Sequence, residues 1–216
     1  MGYFMKVEKI IAELAGTAAL LIAVVGSSFM ANQLTADRAI ALLINASVTA
    51  AALAVLIKVF SPISGAHFNP AVSLASFIAK RMELQEFFGF VMAQLIGALL
   101  GVFLANSMFS NSILTFSEIE RSGNGQIIGE FIATLGLVLL ALSADAKSAW
   151  KLIPLWIFSA YFFTVSTSFA NPAVTLSRSL TESPAGIAPS SVTLFVLVQL
   201  LTAGLASWIL ARKVRV

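Results

Sequence analysis

Asn69-Pro70-Ala71 and Asn171-Pro172-Ala173 place the same polar tripeptide twice within long apolar sequence in this 216-residue chain. An Asn side chain caps a helix by accepting from the first free backbone N–H groups. Pro suits the next position, because its absent N–H would have no partner there. Each tripeptide therefore predicts a helix start. Both starts fall at membrane depth, where unpaired backbone groups are tolerated only beside a watery path. Two of them predict a pore.

The other polar residues inside apolar sequence are few. Glu13 and Glu130 are ionisable groups within expected spans, a placement that by default marks function. A proton relay and a brace accepting hydrogen bonds from neighbouring loops are the two readings. The brace is preferred because each half of the chain carries an equivalent, whereas a coupled carrier more often uses an asymmetric charge. Gln94 and Gln199 are expected to help brace the same loops. His67 either lines the pore and senses pH or orders its loop through a hydrogen bond, the plainer role. There is no Cys and one His, so neither a disulfide, thiolate chemistry nor a Cys- or His-rich metal site is expected. No catalytic set or phosphate-cradling glycine loop is present, so no enzyme and no cofactor is expected.

Composition sets the elements that must hold these residues. The chain is 59% hydrophobic and 11% charged, with mean hydropathy +0.95. Soluble chains carry about 25% charged residues, so a polytopic membrane protein in contact with lipid is predicted. The net charge of +3 is scattered between apolar runs and forms no basic stripe, which argues against nucleic acid. Six segments reach the roughly 20 residues that span a bilayer: 10–31, 39–60, 87–108, 127–146, 150–167 and 191–211, the fifth being short. Lys6 and Lys9 before the first run resemble a signal peptide, but Glu13 interrupts it and the run continues to residue 31. A retained first helix is expected. Segments 64–81 and 168–179 are too interrupted to cross, and each carries one Asn-Pro-Ala.

The two halves repeat. Glu13 and Thr17 open one as Glu-x-x-x-Thr, Glu130 and Thr134 open the other, and Gln94-Leu95 matches Gln199-Leu200. Three spans per half invert the second copy, so the expectation is one domain, 1–216, with inverted repeats at about 1–108 and 127–216. With both termini inside, Lys6, Lys9, Lys58, Lys80, Arg81, Lys147, Lys151, Arg212, Lys213 and Arg215 lie on the cytoplasmic side. Only Arg38, Arg121 and Arg178 lie outside, the bias of the positive-inside rule.

On Ser64-Gly65-Ala66-His67-Phe68-Asn69-Pro70-Ala71-Val72, the second Asn-Pro-Ala and the paired Glu-x-x-x-Thr starts, the chain resembles the major intrinsic protein family of aquaporins and glycerol facilitators over essentially its whole length. The resemblance implies an all-α membrane protein, with six transmembrane helices and two re-entrant half-helices, usually a homotetramer with one pore per subunit. It implies that Pro70 and Pro172 stack where the half-helices meet, leaving each Asn amide free to donate to a passing solute. The half-helix N-termini, each worth about half a positive charge, then oppose cations at the centre.

Val174 departs from the family pattern, since most water-selective members carry Arg directly after the second Ala. By the resemblance, Thr49, Ser159, Ser168 and Val174 form the selectivity filter, with Tyr161 or Phe162 as alternatives to Ser159. That ring would be wide, mildly polar and without aromatic or cation. Arg178, four residues after Val174, either brings a cation to the outer mouth or caps the half-helix C-terminus as a solvated side chain. The expectation is a passive channel for water and small neutral solutes such as glycerol, urea or trivalent metalloid hydroxides including arsenite, in a bacterial inner (plasma) membrane. An ion-coupled secondary transporter and a water-selective aquaporin are the alternatives.

Overall fold

The computed structural model describes the backbone of residues 2–145 and 147–213 and the side chains of 7–145 and 147–211. The side chains of Lys6, Arg212 and Lys213, and the whole of Ala146 and Arg215, on which parts of the span and charge assignment rest, lie outside the described residues. All regular structure among the described residues is helical. In chain order it comprises α1 (Gly2–Leu34), α2 (Arg38–Ser64), α3 (Pro70–Ile78), α4 (Leu84–Met108), α5 (Asn124–Ser143), α6 (Ala149–Phe163), α7 (Pro172–Ser177), a 3-10 turn Arg178–Leu180, and α8 (Pro189–Lys213). Five of these, α1, α2, α4, α5 and α8, are long and apolar enough to cross a membrane. Bulky apolar side chains such as Val55, Leu104 and Leu201 stay exposed, as expected where the solvent is lipid.

The fifth expected span ends earlier than the sequence reading placed it. Helix α6 has 15 residues, about 22 Å at 1.5 Å per residue, below the ~30 Å of a hydrocarbon core. Thr164 terminates it in an extended conformation while its hydroxyl donates to the Ala160 carbonyl at 2.6 Å. Residues 164–167, polar at three of four positions, thus belong to the following loop.

Lipid supplies no hydrophobic force between helices, so close contact rests on small residues. On α4, Gly97 and Gly101 sit against the backbone carbonyls of Leu14 and Ala18, so near that a Cβ at either glycine would overlap them. This seam joins α4 to α1, and α1 also packs on α2. The other half is arranged alike: α5 packs on α8 and α6, with the Trp156 ring over Gly136 and its Nε1 donating to Ala133 O at 2.9 Å. Helices α2 and α6 close the bundle, and the short α3 and α7 lie inside it against α4 and α8.

Candidate functional site

Both short helices begin on their asparagines. Asn69 (φ −156°, ψ 117°) and Asn171 (φ −157°, ψ 115°) are extended N-caps followed by Pro at the first helical position. Asn69 Oδ1 accepts from Ala71 N at 2.8 Å, and Asn171 Oδ1 from Ala173 N at 3.0 Å. The amide nitrogens then cross over. Asn69 Nδ2 donates to Ala170 O, and Asn171 Nδ2 to Phe68 O, both at 2.8 Å. One amide N–H of each Asn is therefore spent on the opposite loop, and the other has no acceptor among the described residues.

The loops entering these helices share a backbone pattern. Counting back from each Asn, Gly65 and Thr167 have φ of +90° and +58°, Ala66 and Ser168 +53° and +52°, and Phe68 and Ala170 +50° and +47°. Left-handed backbone costs a non-glycine residue about 1–2 kcal/mol, so something must hold it. Two buried carboxylates do. Glu13 accepts from Phe68 N (2.6 Å), His67 N (3.0 Å), Ser64 Oγ (2.6 Å) and Gln94 Nε2 (2.8 Å). Glu130 accepts from Phe169 N and Ala170 N (2.9 Å each) and from Gln199 Nε2 (2.6 Å). Each Gln also donates into its short helix, Gln94 to Ser73 Oγ at 3.0 Å and Gln199 to Thr175 Oγ1 at 2.9 Å. Both carboxylates are fully buried, and neither lines any of the three cavities described below. A buried charge needs this density of donors.

Three cavities run in series through the bundle. One of about 190 Å³ is bordered by the Lys9–Glu86 ion pair (2.7 Å), Arg81 and His67. It shares His67 and Ala141 with a narrow central cavity of about 70 Å³, lined by both asparagines, Thr49, Tyr161, Ser168 and Val174. His67 Nδ1 pairs with Ser73 Oγ at 3.0 Å. Arg178 lines this central cavity and also a wide basin of about 640 Å³ that includes Arg38, Arg121 and Asn45. Arg121 donates to Gly186 O (2.9 Å) and Ser166 O (3.3 Å), and burial holds its guanidinium below the ordinary arginine pKa.

Two placements correct the sequence reading. Ser159 is exposed, with its hydroxyl returned to Leu155 O at 2.8 Å, and lines none of the three cavities. Tyr161, two residues on and so on the opposite helix face, takes the lumen position and donates to Thr49 Oγ1 at 3.4 Å; Phe162 is exposed. Arg178 is not solvated. It is 1% exposed, its guanidinium lies 3.5 Å from the centre of the Phe169 ring, and its Nε donates to Ala185 O. The central cavity accordingly has both an aromatic and a cation on its wall.

The family model described as Major intrinsic protein matches residues 3–167. The chain belongs to the major intrinsic protein family. This major intrinsic protein is 42% identical over 217 residues to the aquaglyceroporin AqpS of Rhizobium meliloti (strain 1021), covering 97% of this chain and 93% of that one. It is 34% identical over 143 residues to a probable TIP-type aquaporin of Medicago truncatula, covering 63% of this chain and 57% of that one. Its fold is similar to the X-ray structure of the aquaglyceroporin from Plasmodium falciparum, with TM-score 0.73 at 20% identity and 94% coverage of both chains. It is a multi-pass membrane channel for water and small solutes, and not an enzyme.

Proposed function

We propose that this channel passes water together with small neutral polyhydroxyl solutes, glycerol and urea first and trivalent metalloid hydroxides such as arsenite beside them. The supporting observation is the lumen wall at position 174, where Val leaves the half-helix start without a cation and Thr49 and Tyr161 bring hydroxyl-bearing side chains to the lumen wall. A neutral polyol can exchange water for such hydroxyls at little cost, whereas an ion cannot. Asn69 and Asn171 contribute their remaining amide hydrogens at the centre, and the two helix N-termini oppose cations there.

The filter in this reading is Thr49, Tyr161, Ser168 and Val174, with Glu13, Glu130, Gln94 and Gln199 as loop braces and His67 at the inner end of the lumen. An ion-coupled transporter is disfavoured because both buried carboxylates are surrounded by donors and line none of the three cavities in series. A water-selective channel keeps one supporting observation, the narrow central cavity beside Arg178. We further infer that the chain is one domain of inverted repeats, about 1–108 and 127–216, forming a homotetramer in a bacterial inner membrane with both termini cytoplasmic.

Stopped-flow swelling of vesicles holding the purified chain, run with water, glycerol, urea and arsenite, tests the reading. Glycerol flux with low activation energy and no dependence on an ion gradient is expected. Water flux with every larger solute excluded would refute it.

A further inference from the structure

Arg178 is unusual among the charged residues of this chain. It is buried to 1% exposure, and no carboxylate among the described residues forms an ion pair with it. Its Nε–H donates to Ala185 O, but the terminal N–H groups donate to no protein atom among the described residues. Four unspent donors on a desolvated cation are costly unless something else takes them up. The residue's place says what that is. Arg178 is the one residue shared by the narrow central cavity and the wide outer basin, so its guanidinium stands at the neck between them. Ser168 lines the same narrow cavity, though its hydroxyl is itself buried and has no protein partner among the described residues.

The neck is built to keep the cation still. The Phe169 ring supports the Arg178 guanidinium at 3.5 Å, and Arg121 lies 4.8 Å from the same ring. Arg121 and Arg38 line the basin, and neither it nor the central cavity includes an Asp or Glu. Glu130, bonded to the Phe169 and Ala170 amides, lines neither. A cation leaving the basin therefore meets fixed positive charge with no carboxylate on the wall beside it, Glu130 lying behind the lining, at a constriction where water screens little. A neutral solute meets hydrogen-bond donors instead.

Resting on the channel reading above, we propose that Arg178 is the specificity-determining cation of the outer neck: it bars cations and hydronium and donates hydrogen bonds to solute oxygens, from a position one helical turn beyond Val174. Two cation-excluding elements then lie in series, this guanidinium and the paired half-helix N-termini.

The test compares wild type, Arg178→Met, Arg178→Gln and Arg178→Lys in reconstituted vesicles, reading proton and sodium leak against water and glycerol flux. Met keeps an unbranched chain on Phe169, and Gln keeps a donor for Ala185 O. Both neutral variants are expected to raise the ratio of ion leak to water flux roughly tenfold or more, while Lys holds it near wild type. They are expected to unfold no more readily than wild type, since the charge they remove is desolvated and unpaired. An unchanged leak ratio in a neutral variant overturns the proposal. So does failure of both to fold, which would make Arg178 an anchor for the 181–188 loop. Wild-type vesicles that pass neither water nor glycerol would sink the channel reading itself.

Discussion

Asn69 and Asn171 each give one amide hydrogen to the carbonyl that precedes the other, at 2.8 Å in both directions. Neither half-helix start is held by its own loop alone. The same side chains cap the two helices, so position and capping are fixed by one group on each side.

Replacing either asparagine by Ala removes a cap and a cross-link together. A loss of about 1–3 kcal/mol is expected for each single variant. The double variant should lose less than the sum, because the second change removes contacts already loosened. Denaturation of the purified chain in detergent, run as a double-mutant cycle, measures the coupling; strict additivity would contradict a shared junction.

Glu130→Gln tests the brace. The amide keeps an acceptor but turns its N–H₂ group either toward the Phe169 N–H or toward the Ala170 N–H and Gln199 amide, leaving buried donors facing each other. About 1–3 kcal/mol of stability should be lost. Glycerol flux in wild-type vesicles should be indifferent to an imposed pH gradient. Gradient-driven accumulation would point to a relay instead.

The glycines of the long helices are expected to respond in opposite senses. A Cβ on Gly97 overlaps the Leu14 carbonyl, so Gly97→Ala must push α1 from α4 and destabilise by about 1–3 kcal/mol. At Gly204 the nearest outside atom is Ile78 Cδ1 at 4.0 Å. Gly204→Ala should be neutral or stabilising by up to about 1 kcal/mol, through helix propensity. Thermal melts of the two variants settle the comparison.

Val174 faces the narrow cavity next to Arg178. Val174→Arg should lower glycerol flux by roughly tenfold while cutting water flux less, since a second guanidinium narrows the passage. Because the chain contains no Cys, mercurials should leave wild type unaffected and block Val174→Cys reversibly with thiol. Stopped-flow measurements read both effects, and mercurial-resistant flux through Val174→Cys would remove that side chain from the lumen.

The sequence makes the helical membrane architecture readable because each Asn-Pro pair is a local start signal, and because membrane-length apolar runs need no tertiary context. What it hides is rotation. Helix α6 is apolar around its whole circumference, so nothing in the periodicity distinguishes the face of Ser159 from that of Tyr161, two residues and about 200° apart. The end of α6 is hidden for a related reason. Phe162 and Phe163 read as continuing span, and only the hydroxyls from Thr164 onward signal the loop. Arg178 could be placed one turn past Val174 by counting, but not buried by counting. Its burial depends on the Phe169 ring and on Ala185 returning from the other side of the 3-10 turn.

The six left-handed residues before the two asparagines invert the usual rules of substitution. Along most helices a glycine weakens the chain, yet at 66, 168 and 170 it is the newcomer the backbone would welcome. A β-branched residue there would have to flatten the turn and swing a carbonyl away from the opposing amide. Variation at 66, 168 and 170 should therefore be confined to small or glycine-like side chains, while at 68 the buried ring packed on Gly16 adds a demand for bulk that the backbone alone would not make.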